Sequence, residues 1–475
     1  MSASHSTSDA LWADSILSLA PRLRAGELSP VTLTQLMLDR IAAYDDRLHA
    51  YITVSRETAL AEASQAEKDI ANGKWRGPLH GVPIAAKDVF YTEAIRTGLG
   101  SSIYSDWTPP YESTATARLA DAGAIMLGKL TCTEGVYAEH HPTITEPLNP
   151  FGAAHWTGNS SSGSGVALTA GLAYASLGTD TGGSIRLPSS CCGIVGIKPT
   201  WGRVSRHGVF PLAESLDHVG PMARTAADAA LLLGVIAGPD AADPTTAAVA
   251  VPDYLAQIDA GIAGLRVGVD LRLIRAKATT EVVASIEAVM AVVASLGAEI
   301  IDVVFPETDA ILRGWAVQCA VEAALAHRDT YPAMNSGYGP RLSALLDRGR
   351  DYSGLDLAEA LTSRRRFTGE MAHLFEKIDL LVVPGLPVGG PTLEFMGSLG
   401  EDPAAILAIG PFTAPFDVCG YPTIILPCEK STQGIPIGFQ FVARPFAEDL
   451  LCRAGHAYQA VTDWHRRRPD LMDFT

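Results

Sequence analysis

Two short loops rich in serine and glycine, together with one lysine, are the residues of this sequence that could do chemistry. The first loop covers residues 157–165 (TGNSSSGSG), the second covers residues 178–184 (GTDTGGS), and Lys87 follows the apolar run 82–86. Glycine loses much backbone freedom when it becomes ordered, so two such loops indicate backbone that bends sharply or presents N–H groups to negative charge. The serines and the lysine then predict a hydrolase with a serine nucleophile.

Neither loop carries the usual partner of a nucleophilic serine. A serine hydroxyl needs a base to take its proton, and that base is most often a histidine, commonly with the serine in a Gly-x-Ser-x-Gly turn. Both loops lack that turn and contain no histidine. A lysine can serve instead when burial lowers its pKa, because a low dielectric disfavours the ammonium. Since Lys87 follows an apolar run, we expect it at the end of a strand with its stem buried.

The elements that must position these residues alternate between strands and helices. Apolar runs at 82–86 and 174–177 predict buried strands that lead to Lys87 and to the second loop. The small apolar segment 165–172 predicts a helix packed closely on a sheet. Similar alternation continues along the rest of the chain, and it predicts an α/β fold with a mostly parallel, buried sheet.

These motifs lie within longer stretches that resemble the amidase signature family, whose members hydrolyse amides with a Ser-Ser-Lys triad. The matching stretches are 81–88, 158–165, 178–186, 193–200, 202–206, 215–217, 220–222 and 412–440. The resemblance implies one amidase-signature domain over residues 1–475, with a core at about 78–237 and a variable substrate-loop region at about 240–410. It also implies a large, mostly parallel mixed central sheet covered by helices on both faces.

The resemblance further implies a role for each residue of the triad. Ser184 is similar in position to the family's nucleophile, and Lys87 to its base. Ser160 resembles the bridging serine, which relays a proton between the two and in this family usually follows a cis peptide bond. Glycine suits an oxyanion hole, because backbone N–H groups cluster there without a Cβ in the way. The positions that match the family's oxyanion hole are Thr181, Gly182, Gly183 and Ser184.

The first loop departs from the family pattern at two positions. Asn159 and Ser162 each stand where the family usually has a glycine, so that three serines adjoin one another. Ser160 is the better candidate for the bridge, because its separation from Ser184 matches the family. Ser161 stays its rival.

Residues around the triad receive assignments of their own. Val136 and Tyr137 fall where family members line the substrate pocket. The alternative is that both are ordinary core residues with no contact to the substrate. Asp180 and Arg186 flank the nucleophile and are expected to position its loop. The glycine-flanked segment 389–401 is expected to be a mobile apolar lid or a plain surface loop.

The implied reaction is the cleavage of C–N bonds in small to medium uncharged amides through an acyl-enzyme. Aryl amides and anilides are the expected substrates, and carbamates (urethanes) and esters are further options for the same groups. The alternative function is that of the glutaminase subunit (A type) of a tRNA-dependent amidotransferase, which shares the Ser-Ser-Lys core. A third hypothesis, a binding protein without catalysis, is disfavoured by the intact Lys87, Ser160 and Ser184.

Charge and hydropathy exclude several other functions. A formal net charge of −16 argues against a nucleic-acid partner, because nucleic-acid-binding proteins usually present a basic face. No apolar run approaches the roughly 20 residues of a spanning helix, and we expect neither a signal peptide nor a membrane partner. The expected partner is a small amide or carbamate substrate, and the oligomeric state, a homodimer included, is left open.

The cysteines indicate the compartment. Seven are present, at positions 132, 191, 192, 319, 419, 428 and 452. Their odd number and the absence of a Cys-x-x-Cys spacing argue against a disulfide framework or a zinc site, and a reducing cytoplasm fits best. His140 and His141 match no zinc spacing. We therefore expect a cytoplasmic enzyme with no cofactor and no metal.

Overall fold

One large sheet forms the centre of the molecule in the computed structural model, which describes residues 11–399 and 408–471. Its 11 strands are β1 (Tyr51–Val54), β2 (Pro83–Lys87), β3 (Ile125–Leu130), β4 (Ala175–Asp180), β5 (Val195–Lys198), β6 (His218–Ala223), β7 (Arg266–Val269), β8 (Glu299–Asp302), β9 (Leu380–Pro384), β10 (Thr423–Lys430) and β11 (Pro436–Val442). Their order across the sheet is β1-β3-β2-β4-β6-β5-β10-β11-β9-β7-β8.

Fifteen α-helices accompany these strands in the described ranges. They are α1 (Ile16–Arg24), α2 (Pro30–Leu48), α3 (Arg56–Ala71), α4 (Thr114–Asp121), α5 (Ser162–Thr169), α6 (Arg186–Cys192), α7 (Ala226–Ile236), α8 (Leu271–Lys277), α9 (Thr280–Ser295), α10 (Asp309–Ala326), α11 (Pro340–Asp351), α12 (Gly354–Leu374), α13 (Leu393–Ser398), α14 (Ala414–Val418) and α15 (Glu448–Val461). The predicted α/β fold is confirmed. Helix α13 stands within the segment 389–401, of which residues 400 and 401 lie outside the described residues.

The sheet is mixed, but antiparallel neighbours outnumber parallel ones by six pairs to four. The alternation of strands and helices predicts mostly parallel pairs instead. Strand β6 explains the difference, because it inserts between β4 and β5 and runs antiparallel to both. The pairing of β10 with β11 is antiparallel as well. Such insertions depend on contacts between distant parts of the chain, so alternation along the sequence does not reveal them.

Both faces of the central strands are covered. Every residue of β2, β4, β6, β9 and β11 is buried, and successive side chains of a strand point to opposite faces. Helices α5, α6, α7 and α15 pack against these and neighbouring strands. The edge strands β1 and β8 contain exposed residues instead. The apolar core of the molecule therefore lies on both sides of the middle of the sheet.

Strands β2 and β4 bring the lysine and the two loops together. They are parallel neighbours, so their carboxyl ends meet at the same edge of the sheet. Strand β2 ends at Lys87, and β4 ends at Asp180, inside the second serine–glycine loop. Helix α5 begins at Ser162, inside the first loop, and packs against β2, β3 and β4. Lys87 and the two serine–glycine loops thus meet at one edge of the sheet.

The region 240–410, where the family resemblance is loose, contributes helices α10, α11 and α12. Helix α10 packs against α11 and α12 and also contacts α14. The division into a core and a variable region within one domain stays a prediction. In the part of the chain that the structure describes, no helix has the length and hydropathy of a membrane span.

Candidate active site

Lys87 lies fully buried at the end of β2. Its Nζ atom is 2.7 Å from the Oγ atom of Ser160 and 2.8 Å from the Oγ1 atom of Thr179. Burial lowers the pKa of Lys87 to about 8, while the carboxylates of Asp180 and Asp217 act in the opposite direction. A lysine with this pKa is partly neutral near pH 7, and a neutral amine can accept a proton.

Ser160 and Ser161 have different partners, although they are adjacent. Ser160 contacts the lysine and is almost completely buried, and the Asn159–Ser160 peptide bond is cis. The Oγ atom of Ser161 donates instead to the backbone carbonyl of Thr179, at 3.3 Å. The geometry therefore favours Ser160 over Ser161 as the serine that exchanges a proton with Lys87.

Ser162, the third serine, is hydrogen-bonded to a histidine. Its Oγ atom is 2.9 Å from Nε2 of His140, whose Nδ1 atom lies 3.9 Å from the carboxylate of Glu146. Burial lowers the pKa of His140 to about 4, so this histidine is neutral near pH 7. Within 11–399 and 408–471, no group of three or more His, Cys, Asp or Glu side chains is arranged to hold a metal ion.

Ser184 lies in the turn between β4 and α6, at the wall of a cavity of about 490 Å³. It is half-buried, whereas Lys87 and Ser160 are buried and do not line this cavity. The backbone N–H of Ser161 donates to the carbonyl of Ser184 at 3.3 Å, which joins the two loops. A substrate in the cavity would meet Ser184 first.

Asp180 holds the turn that carries Ser184. Its carboxylate accepts hydrogen bonds from the backbone amides of Gly183 (2.6 Å) and Ile185 (3.0 Å) and from the guanidinium of Arg186 (2.8 and 2.9 Å). Arg186 also reaches Asp417 at 2.5 Å. Burial alone would raise the pKa of Asp180, but the Arg186 guanidinium outweighs burial and holds that pKa far below its ordinary value. Asp180 and Arg186 thus support the loop, as expected.

The carbonyl groups of the loop are also held. Trp315 Nε1 donates to the carbonyl of Thr181, and Thr413 Oγ1 donates to the carbonyl of Gly182, both at 2.7 Å. Because the N–H and C=O of a trans peptide point in opposite directions, the bond from Trp315 directs the Gly182 N–H away from that tryptophan. The Gly183 N–H already donates to Asp180. Of the four amides that the sequence predicts for an oxyanion hole, those of Thr181, Gly182 and Ser184 remain as candidate donors.

Val136 and Tyr137 both lie in the wall of the cavity that Ser184 lines. Val136 has a φ of 55°, a left-handed conformation that a β-branched residue rarely adopts. The segment 389–401 contributes α13 to the same wall through Leu393 and Met396.

Several residues of the site escaped the sequence reasoning. Thr179 belongs to the second loop, but its contact with Lys87 has no signal in the sequence. Trp315, Thr413 and Asp417 come from distant parts of the chain, and the first two bind the loop that carries Ser184 directly. Further apolar residues of the cavity wall are Trp156, Leu187, Leu212, Leu345 and Ile409.

Known proteins resemble the chain over nearly its whole length. The family model named Amidase matches residues 32–452. The protein AmiD of Mycobacterium tuberculosis is 45% identical over 472 residues, which cover 98% of this chain and 97% of AmiD. The A-type subunit of the glutamyl-tRNA(Gln) amidotransferase of Moorella thermoacetica is 37% identical over 479 residues, which cover 95% of this chain and 97% of that relative.

Solved structures agree with these sequences. The peptide amidase from Stenotrophomonas maltophilia is 31% identical and superimposes with a TM-score of 0.82, over 96% of this chain and 98% of the peptide amidase. With the family match and these relatives, the chain belongs to the amidase signature family.

Proposed function

We propose that this amidase hydrolyses amides through an acyl-enzyme on Ser184, with Ser160 and Lys87 as the proton relay. The observation that carries the proposal is the buried contact of 2.7 Å between Lys87 and Ser160, behind a cavity that Ser184 lines. The lowered pKa of Lys87 supports it, because a base must be partly deprotonated at the working pH.

The first half of the reaction transfers the acyl group to the enzyme. The hydroxyl proton of Ser184 passes to Ser160 while Ser160 gives its own proton to the neutral amine of Lys87, and the Ser184 oxygen bonds to the substrate carbonyl carbon. The negative charge that develops on the carbonyl oxygen is stabilised by backbone amides of 181, 182 and 184. Ser160 then donates a proton to the leaving nitrogen, Lys87 replaces that proton, and the C–N bond breaks.

The second half hydrolyses the acyl-enzyme. Water gives a proton through Ser160 to Lys87 and attacks the ester carbonyl, and the proton returns to Ser184 as the acid leaves. In both halves Lys87 becomes an ammonium in the field of the carboxylates of Asp180 and Asp217. That field stabilises the protonated intermediate and offsets part of the cost of a buried charge.

The cavity supports small to medium amides with an apolar portion. Its wall includes two tryptophans, Trp156 and Trp315, and aliphatic side chains from α11 and α13. Aryl amides and anilides fit this description. Carbamates and esters present the same acyl carbon to Ser184, so we propose them as further substrates. One structural relative is named a peptide amidase, so peptide amides should be tested as substrates as well.

A substrate panel with one active-site variant tests the proposal. We expect the wild-type protein to release amine from at least one of a set of nitroanilides, primary amides and aryl carbamates. Ser184→Ala should abolish turnover and leave the circular dichroism spectrum unchanged. A fluorophosphonate should label Ser184 covalently in the wild type alone. Failure of labelling and of turnover on the whole panel would overturn the proposal and favour a binding protein without catalysis.

A second candidate function is that of a glutaminase component of an amidotransferase. The identity of 37% with the A-type subunit of a glutamyl-tRNA(Gln) amidotransferase favours it. The tryptophans and aliphatic side chains in the cavity wall favour the first function, because glutamine has no apolar group of matching size. The two functions differ in a direct assay: a glutaminase component should release ammonia from glutamine and co-purify with partner proteins, whereas a stand-alone amidase should act on the panel by itself.

A further inference from the structure

One face of α11 forms part of the wall of the catalytic cavity. The cavity-lining residues of this helix and its end are Arg341, Leu345, Arg348 and Tyr352. Their spacing of three or four residues places them on one side of the helix. Two of these four side chains carry a positive charge, in a cavity whose wall also holds Glu139, Glu146 and many apolar side chains. Each of the two charges needs a partner or needs water.

The two arginines differ in what they contact. Arg341 Nε donates to the carboxylate of Glu139 at 2.7 Å, so its charge is paired inside the cavity wall. Arg348 is half-buried, and its guanidinium makes no hydrogen bond or ion pair with any residue in 11–399 or 408–471. The other acidic side chain of the wall, Glu146, lies beside His140, 3.9 Å away.

Tyr137 is a hydrogen-bonding side chain in the same cavity wall as Arg348. The Tyr137 side chain lines the same cavity. Burial raises the pKa of its hydroxyl to about 12, and the charges of Arg348 and Arg341 oppose that rise. The guanidinium of Arg348 and the Tyr137 hydroxyl therefore belong to the wall of one cavity. At neutral pH this hydroxyl keeps its proton, so it can donate a hydrogen bond to a group bound in the cavity.

We propose that Arg348 and Tyr137 form a subsite for an anionic group, a carboxylate in its simplest form, which the substrate carries away from its scissile amide. A guanidinium binds a carboxylate through two parallel N–H bonds, and a neighbouring phenol adds a third donor. The apolar side chains of the wall strengthen such a pair by excluding water. The inference rests on the proposed function, and it replaces the uncharged substrate that the sequence suggests with an apolar amide bearing one negative charge.

Matched pairs of substrates test the subsite. The mono-4-nitroanilide of adipic acid and the 4-nitroanilide of hexanoic acid differ by a carboxylate on the acyl side of the scissile bond. The N-acetyl derivatives of 4-aminobenzoate and of methyl 4-aminobenzoate differ by a carboxylate on the amine side. In one of the two pairs, we expect the wild type to show about 10- to 100-fold higher kcat/KM for the carboxylate member, chiefly through KM, because a charge-assisted hydrogen bond is worth about that factor.

Three variants distinguish the subsite from other causes of that preference. Arg348→Met should abolish the preference, Arg348→Lys should keep part of it because the charge remains, and Tyr137→Phe should reduce it. Arg350→Met, on the exposed side of the same helix, is the matched control and should keep the wild-type ratio. The readout is the ratio within a pair, which a general loss of stability or turnover does not change.

Two results would overturn the subsite. The first is a wild type that hydrolyses the neutral members without preferring either carboxylate member, and the second is an Arg348→Met variant with the wild-type ratio. Both leave the proposed amide hydrolysis intact. Failure of that function is a separate result, namely a wild type inert toward all four compounds and not labelled at Ser184.

Discussion

At the scale of single residues, the proposed reaction depends on the buried lysine Lys87. Lys87 has no exposed surface, and neither of the two side chains that it contacts carries a charge. Keeping an ammonium there costs free energy, and the lowered pKa of Lys87 expresses that cost. The same cost makes the side chain useful as a base, because the neutral amine becomes available near physiological pH.

The pH dependence of turnover follows from that pKa. Since the proposed reaction needs neutral Lys87, kcat/KM should rise with pH, with a midpoint near the pKa of about 8. At pH 7 the rate should be about one tenth of its alkaline plateau. Lys87→Arg keeps the charge but has no removable proton, and it should be inactive at every pH. A Lys87→Met variant with nearly the wild-type rate between pH 7 and 9 would contradict the assignment of the base.

A pair of alanine variants separates the two adjacent serines. Ser160→Ala removes the hydroxyl that contacts Lys87, and the rate should fall by about 100- to 10,000-fold, the range of general acid–base contributions. Ser161→Ala removes a hydrogen bond to a backbone carbonyl, which should lower the free energy of unfolding by about 1 kcal/mol and change the rate far less. Steady-state kinetics measure the rates of the two variants, and urea unfolding measures their stabilities. A larger loss of rate in Ser161→Ala than in Ser160→Ala would make Ser161 the relay.

At the scale of elements, the start of α5 shows how tightly the first loop is packed. A Cβ atom on Gly163 would lie 2.5 Å from the backbone oxygen of Ala50 and 2.6 Å from the backbone nitrogen of Thr131. Backbone atoms cannot move aside as a flexible side chain can. The glycine therefore permits α5 to approach β3 closely, and that approach holds the serines of the first loop near Lys87.

Substitution of that glycine should be severe. Gly163→Ala should displace the beginning of α5, lower the free energy of unfolding by about 2 kcal/mol or more, and reduce kcat. Gly369→Ala in α12 is the matched control, because a Cβ there meets nothing within 4 Å. The control should raise stability by about 1 kcal/mol, since alanine favours a helix over glycine by that amount. Equal stability changes in the two variants would refute the packing argument.

At the scale of the whole molecule, the burial of the cysteines shows that the interior is closely packed. None of the seven forms a disulfide; six are buried and Cys419 is half-buried. Burial raises the pKa of Cys132 and of Cys419 to about 12, so few thiolates exist at pH 8. The interior thus protects its thiols both by excluding reagents and by keeping them protonated.

Thiol labelling should follow global unfolding. With a disulfide reagent at pH 8, we expect all seven thiols to react within seconds in denaturant. In buffer without denaturant all seven should react slowly, and Cys419, the least buried, should react before the others. The labelling rate in intermediate urea should match the unfolding rate measured by fluorescence. Three or more thiols that react at once in buffer would show that the sheet opens more readily than its buried strands imply.

The sequence alone was sufficient to predict those features that depend on neighbouring residues. The run before Lys87 predicts a buried strand that ends at the lysine, and the two serine–glycine loops identify the candidate triad and its family. Alternating helices and strands predict the α/β class. In each case neighbouring residues determine the backbone, so composition and spacing along a short stretch contain the answer.

Only the tertiary structure decided which distant groups meet. It paired Ser160 rather than Ser161 with Lys87, inserted β6 between β4 and β5, and brought Trp315 to the loop that carries Ser184. It also set Arg348 in the wall of the catalytic cavity. These outcomes depend on packing between segments far apart in the chain, where the burial of one element sets the position of another. No short stretch of sequence records such contacts.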